Sequence, residues 1–199
     1  MTPDPRAFRR TIGLFATGVT IVAARTADGV VAMTANAVSS VSLDPLLVLV
    51  CVDHRARLAS HLVVGLPFSI NVLRDEQEVL SRYFGGGWHD HHPAPEFRFE
   101  AWDAAPRLVG ALAALRCDVD RLSDGGDHHI VLGAVRSLVE GPDPWNPLLF
   151  YAGRYRRLAP PAIPAAPPEE WGPDGVSIYY DEWSAPEREA RDKGSGPPE

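Results

Sequence analysis

The sequence predicts a mainly β protein, an antiparallel barrel with a few short helices. Three observations predict it. Six or seven short runs rich in Val, Ile, Leu and aromatic residues are spread over the first 158 positions, the composition of packed strands. Turn-forming Gly, Pro and Asp recur between them at short intervals, which suits hairpins and not the long helical crossovers of a parallel sheet. Stretches with helical spacing are few and brief, so helices are accessories to the sheet.

Taken in order, Asp4-Pro5 is a good helix start and Phe8, Ile12 and Phe15 recur at helical spacing, which predicts an amphipathic helix over 5–16 ended by Gly18. Thr20 to Arg25 and Val30 to Thr34 pair as a hairpin across Ala27-Asp28-Gly29. Leu46 to Val52 is apolar throughout, the pattern of a strand buried on both faces. Arg57 to Val64 reads as a short helix, Phe68 to Leu73 as a strand and Glu76 to Phe84 as a second helix. Residues 85–106, with three consecutive glycines, a His-rich patch and several prolines, read as irregular. Leu115 to Arg121 and Ile130 to Val139 are strands joined by Ser123-Asp124-Gly125-Gly126-Asp127, and a last strand runs from Leu148 to Tyr151 and resumes at Tyr155.

From residue 159 the composition changes. Nine of the 19 prolines fall in the last 41 residues, with nine acids and three bases, so the tail carries −6 of the net −7 and the body about −1. Such a tail cannot bury enough apolar surface to fold alone. The expected organisation is a folded body over 1–158 and a Pro-rich acidic tail over 159–199. The tail's aromatic cluster Val176 to Trp183 makes docking on the body or on a second subunit an alternative to disorder.

Charge and composition exclude several roles. The arginines are scattered and form no basic stripe, so no nucleic-acid partner is expected. No apolar run reaches the length of a membrane span, and MTPDPRAFRR has no apolar signal-peptide centre, so the expectation is a cytoplasmic protein with no membrane partner. Cys51 and Cys117 each sit in a strand-like run and read as buried thiols. His89-Asp90-His91-His92 is dense but irregularly spaced, with no partner Cys or Glu set elsewhere, so no metal site is expected. Neither GxGxxG nor a Walker motif is present.

The most informative segment is Met33-Thr34-Ala35-Asn36-Ala37-Val38-Ser39-Ser40-Val41-Ser42-Leu43-Asp44-Pro45. Most of its residues are small or short and polar. It suits laying backbone N–H groups and hydroxyls against a flat polar ligand, and equally a Ser-rich connection between strands.

With other segments it resembles the short-chain flavin reductases, the FMN-binding split-barrel family that supplies reduced flavin to two-component monooxygenases. The matching pieces run in family order: Phe15-Ala16-Thr17-Gly18-Val19-Thr20-Ile21-Val22, Met33-Thr34-Ala35-Asn36, Ser40-Val41-Ser42-Leu43-Asp44-Pro45, Cys51-Val52-Asp53, Phe68-Ser69-Ile70-Asn71-Val72-Leu73, Gly126-Asp127-His128, and Pro147 to Tyr151 with Gly153-Arg154-Tyr155. The resemblance covers about residues 6–158. It implies a Greek-key antiparallel split barrel that forms a homodimer, uses FMN or FAD with NADH or NADPH, and serves a flavin-dependent monooxygenase component.

It also implies roles for residues. Met33, Thr34, Ala35 and Asn36 line the isoalloxazine and ribityl chain, with Ser40, Val41 and Ser42 nearby. Phosphate binding follows Asp53, where the family carries a Ser and a Thr two apart; here Ala56 and Leu58 stand instead. Arg55, Arg57 and the N-terminus of the helix expected from Arg57 are left to hold the phosphate. His128, after Asp127, contacts the incoming nicotinamide and is the candidate catalytic residue. On a strand, His129 points to the opposite face. Tyr151 and Arg154 are pocket-edge candidates, and Trp88 and Trp102 either wall a substrate or anchor their loop. Two other functions stay open: an oxidase or monooxygenase that keeps its flavin and acts on an organic substrate, and a non-catalytic flavin-binding barrel.

Overall fold

Packing of the strand runs decides the architecture. The computed structural model describes residues 4–27, 29–88, 92–141 and 146–159, and the chain divides into Met1–Leu158 and Ala159–Glu199. Asp28, most of the His-rich patch (His89, Asp90, His91) and the tail from 160 on, with its Val176 to Trp183 cluster, lie outside the described residues.

The chain begins with α1 (Pro5–Ile12), capped by the Asp4 carboxylate, which accepts from the Arg6 and Ala7 N–H groups. It stops at Gly13, whose added Cβ would stand 2.9 Å from the Arg9 carbonyl. The expected end at Gly18 is therefore too late, and Gly18 lies in a two-residue strand, β1 (Thr17–Gly18). There follow β2 (Thr20–Thr26), β3 (Gly29–Ala35), β4 (Val38–Leu43), β5 (Leu46–Asp53), β6 (Pro67–Val72), α2 (Glu78–Phe84), β7 (Phe99–Trp102), β8 (Ala105–Leu108), β9 (Ala113–Asp124), β10 (His128–Glu140), β11 (Leu149–Tyr151) and β12 (Arg154–Arg156).

Seven strands form one antiparallel sheet in the order β3-β2-β6-β9-β10-β5-β4. The two end strands, β3 and β4, are joined by only Asn36 and Ala37, and the Cys51 N–H donates to the Ala37 carbonyl. A two-residue link between opposite edges requires the sheet to curl on itself, which gives a barrel open along one seam. Its interior holds Val22, Val48, Val50, Val52, Phe68, Ile70, Val119 and Val131. Gly133 admits the Phe68 ring, since a Cβ there would stand 2.6 Å from its Cζ, and the β9–β10 register shifts beside it.

A second apolar layer covers the outside of β2: Ile21 and Ala23 pack with Leu73, Leu80, Leu108 and Leu148. β2, between β3 and β6, is thus buried on both faces. The expectation of two buried faces for Leu46 to Val52 is not met, because Val48, Val50 and Val52 face the interior while Leu47, Leu49 and Cys51 are half-buried. Cys51 is accordingly a half-buried thiol; Cys117 is fully buried, and both are free.

Two other expectations change. Arg57 to Val64 forms a single helical turn over Ala59–His61, since Leu58 and Ala59 are drawn into the barrel end and too few residues remain to propagate a helix. Residues 85–106, read as irregular, contribute the strands β7 and β8, which pair as a hairpin. No helix among the described residues is long and apolar enough to cross a membrane.

Candidate functional site

Edge position makes β3 available. As an end strand it turns half its backbone N–H and C=O groups away from β2, and Ala32 to Ala37 line a groove of about 810 Å³. Short side chains along this wall let a ligand approach the backbone.

The opposite wall comes from the pairing of β5 with β10. His128 stands directly across from Asp53, and both line the groove with Cys51, Arg55, Ala56 and Arg57. The one-residue alternation of β10 sends His129 the other way, where its ring meets that of His54 at 4.3 Å. The third wall is the end of α2 and the glycine turn after it: Tyr83, Phe84, Gly85, Gly86 and Trp88. Gly85 closes α2, where a Cβ would stand 2.9 Å from the Ser81 carbonyl of the same helix and at ordinary contact distance, 3.7 Å, from the Thr34 Cβ on β3.

Polar bonds fasten these walls together. The Thr34 hydroxyl donates to the Ser81 carbonyl at 2.7 Å, and the Ser81 hydroxyl and Tyr155 phenol are 2.9 Å apart. The Asn36 amide donates to Thr17 Oγ1 at 3.1 Å. Thr34 therefore spends its hydroxyl holding β3 to α2 and offers the groove its backbone.

Charge is arranged in two short-range pairs. The Arg55 guanidinium donates to both oxygens of Asp53, at 3.1 and 2.7 Å, and the Arg55 N–H donates to Oδ1 at 2.8 Å. These side-chain hydrogen bonds, then the backbone one and the guanidinium charge, hold the Asp53 carboxyl well below the usual carboxylate range. His128 Nδ1 lies 2.6 Å from Asp127 Oδ1, and that hydrogen bond, then the imidazole's charge, pulls the Asp127 carboxyl down. Arg57 is exposed, lines the groove and has no ion pair among the described residues.

Sequence reasoning missed Tyr83, Phe84, Gly85 and Gly86, although an aromatic pair running into three glycines was a usable signal. Of the candidates, Met33, Thr34, Ala35, Asn36, Asp53, Arg55, Ala56, Arg57 and His128 line one groove, and Asp127 joins it through His128. Ser40, Val41 and Ser42 lie on β4 outside its lining, with Val41 the extra residue of a bulge. Tyr151 is exposed and also outside it, while Arg154 lines a separate cleft. Trp88 walls the groove, whereas Trp102 lies under the Arg107 guanidinium. The helix N-terminus expected to hold a phosphate after Asp53 is not formed, because only one turn follows. Among the described residues, no group of three or more His, Cys, Asp or Glu is placed to hold a metal.

The residues fit a flavin. The volume is that of a cofactor site, the β3 backbone presents donors and acceptors to a planar heterocycle, and Arg57 supplies a cation for a phosphate.

Comparison with known proteins agrees with this geometry. The sequence-family model described as "Flavin reductase like domain" matches residues 12–159. The 4-hydroxyphenylacetate 3-monooxygenase reductase component of Thermus thermophilus is 40% identical over 159 residues, spanning 78% of this chain and 98% of that protein. The NADH-dependent FAD reductase of Streptomyces globisporus is 40% identical over 162 residues, spanning 77% and 86%. Among solved structures, flavin reductase PheA2 in its native state superposes with a TM-score of 0.73 at 35% identity, over 79% of this chain and all of that one. With its edge-strand groove, its His128–Asp127 pair and a match running almost the length of the barrel, the chain belongs to the family of flavin reductase like domains.

Proposed function

We propose that this protein is an NAD(P)H-dependent flavin reductase that moves a hydride from NADH to FMN or FAD and passes the reduced flavin to a partner monooxygenase. The observation that carries the reading is the single groove in which the exposed backbone of Met33 to Ala37, the His128 imidazole and Arg57 converge. Activities of the matched relatives point the same way.

Flavin supplies the hydride acceptor and the nicotinamide the donor; the protein's work is to orient them. The outward backbone groups of β3 provide partners for the flavin's polar edge without adding a charge there. Arg57, and the turn after Asp53, hold the phosphate. His128, its ring steadied through Nδ1 by Asp127, presents its other nitrogen to the nicotinamide carboxamide. Tyr83, Phe84 and Trp88 form one wall of the groove and shield it from water.

A homodimer is part of the proposal. Phe8, Ile12 and Phe15 on and after α1, and Leu43 and Leu46 at the β4–β5 turn, are exposed apolar side chains, and α1 buries no residue of its own. Apolar exposure of this kind is usual at subunit contacts. A cytoplasmic setting accords with two unpaired thiols.

Steady-state oxidation of NADH and of NADPH by the purified protein, with and without added FMN or FAD, tests the reading. Turnover that depends on added flavin is expected. Turnover on an organic substrate without added flavin, or none with any pair, overturns it.

A further inference from the structure

Side chains pin the end of β3 at three successive residues. The Thr34 hydroxyl donates to the Ser81 carbonyl of α2 at 2.7 Å, and the Thr20 hydroxyl of β2 donates to the Ala35 carbonyl at 2.7 Å. The Asn36 amide donates to Thr17 Oγ1 of β1 at 3.1 Å. The anchors lie on three elements, and β1 belongs to a different sheet from β2 and β3. Fastening is needed here. β3 ends its sheet with one strand neighbour, and the two-residue link across the seam follows at once. Segments with so few neighbours are the first parts of a fold to open.

Thr20 is buried, 6% exposed, and absent from the lining of the groove, so it has no surface to offer a ligand. With Ala35 it forms the last rung of the β2–β3 ladder. Alternate residues of an extended strand turn their backbone groups to opposite sides. Holding the Ala35 carbonyl toward β2 therefore turns the N–H and C=O of Thr34 outward, into the groove that Thr34 lines. The Thr34 hydroxyl completes the lock from the other side. The Ser81 carbonyl that takes it also accepts the Gly85 N–H at 2.9 Å, so one oxygen joins β3 to the glycine wall. Ser81 is itself fully buried, with its hydroxyl 2.9 Å from the Tyr155 phenol. Thr34, Ser81, Gly85 and Tyr155 line a smaller cavity of about 310 Å³ beside the groove.

A ligand that reads backbone groups binds more tightly when those groups are already in place, because binding then bears no cost of ordering them. We propose that Thr20 and Thr34 are positioning residues for the flavin: their hydroxyls touch no ligand and hold the β3 backbone, through the Ala35 and Ser81 carbonyls, in the form the flavin ring reads. The proposal rests on the reductase reading. It separates the hydroxyl of Thr34 from the backbone of Thr34, and it adds Thr20, which no part of the groove contains.

The test uses the full chain with Thr20→Val and Thr34→Val, which keep the side-chain shape and remove the hydroxyl. Thr20→Ser and Thr34→Ser keep the hydroxyl. Ser69→Ala is the control, since it removes a buried hydroxyl bond from β6, whose residues do not line the groove. FMN affinity is measured by flavin fluorescence well below each unfolding midpoint, with amide hydrogen exchange of residues 33–37 and kcat at saturating FMN. Each valine variant is expected to weaken FMN about three- to tenfold, the worth of one neutral hydrogen bond. Exchange at 33–37 should quicken, and kcat should stay within about twofold. The serine variants should bind FMN within about twofold of the unaltered protein, and Ser69→Ala should lower the unfolding midpoint without changing FMN affinity. Unchanged FMN affinity or exchange in either valine variant, no recovery with serine, or an equal loss in Ser69→Ala overturns the proposal. Thr20→Ala stands in, with the same outcomes, where Thr20→Val does not fold. Absence of NADH oxidation by an unaltered protein that binds FMN ends the reductase reading and leaves the proposal standing; absence of FMN binding ends both.

Discussion

Arg55 and Arg57 sit two positions apart on one turn, yet their roles separate. Arg55 is clamped on Asp53 by two side-chain bonds and its own N–H, so its charge is already paired although only two of its five guanidinium N–H groups are engaged. Arg57 has no such partner among the described residues. Arg57→Ala is expected to weaken FMN about tenfold and riboflavin, which has no phosphate, hardly at all; Arg55→Ala should cost FMN less than about threefold. Fluorescence titration with both flavins checks this. His128→Ala should lower kcat/KM for NADH by about tenfold or more while FMN affinity stays within about threefold, since the imidazole is assigned to the donor. The Asp53 clamp also predicts a pH dependence. Its carboxyl is held low, so its contribution to stability is fully present above the ordinary aspartate pKa of about 4 and is lost as pH falls through the depressed native value. Urea midpoints of the unaltered protein and Asp53→Asn should differ most near pH 7 and converge as pH drops from about 4 to 2.

Among the elements, the β7–β8 hairpin is held by side chains from β6. Asn71 donates to the Ile21 carbonyl at 3.0 Å and to Ser69 Oγ at 2.8 Å, and accepts from the Leu108 N–H at 2.9 Å. Ser69 donates in turn to the Pro106 carbonyl at 2.5 Å. All four bonds are buried, and removing one partner strands the others without water. Asn71→Ala should cost about 2–4 kcal/mol, visible as a lower denaturation midpoint, with Ser69→Ala costing less. This network explains why residues 99–108 did not read as strands: their sequence, with Pro106 inside it, has no clean alternation, and the pairing is imposed by bonds to a strand some 30 residues earlier. The reverse error occurred at 57–64, where helical composition lost to the burial of Leu58 and Ala59. The hairpins β2–β3 and β9–β10 were legible because apolar, β-branched runs and a turn signal between them specify each hairpin without outside help.

For the whole molecule, the family match over residues 12–159 ends one residue past Met1–Leu158, and the residues lining the groove and clefts all fall within that unit. A chain ending at Leu158 is therefore expected to retain flavin-dependent NADH oxidation within about twofold and to sediment as the dimer. A larger loss in turnover or subunit mass would give the acidic tail a working part in one or the other. The exposed apolar residues of α1 and the β4–β5 turn belong to this scale too, since no local rule in the sequence says that a helix with Phe8 and Ile12 in register will bury neither of them within its own chain.

By itself the sequence determined the barrel class and the strand order along the chain, because apolar runs and turn chemistry act over a few neighbouring residues, while the candidates Met33 to Asn36 and Asp127-His128 came from its family resemblance. Tertiary structure alone decided which candidates meet. Curling of the sheet brings β3 against the ends of β5 and β10, places Asp53 across from His128, and sets Tyr83 to Gly86 over them. It also separated Arg55 from Arg57, and Arg154 from the groove, since whether a guanidinium is clamped or available depends on partners that closure of the barrel assembles.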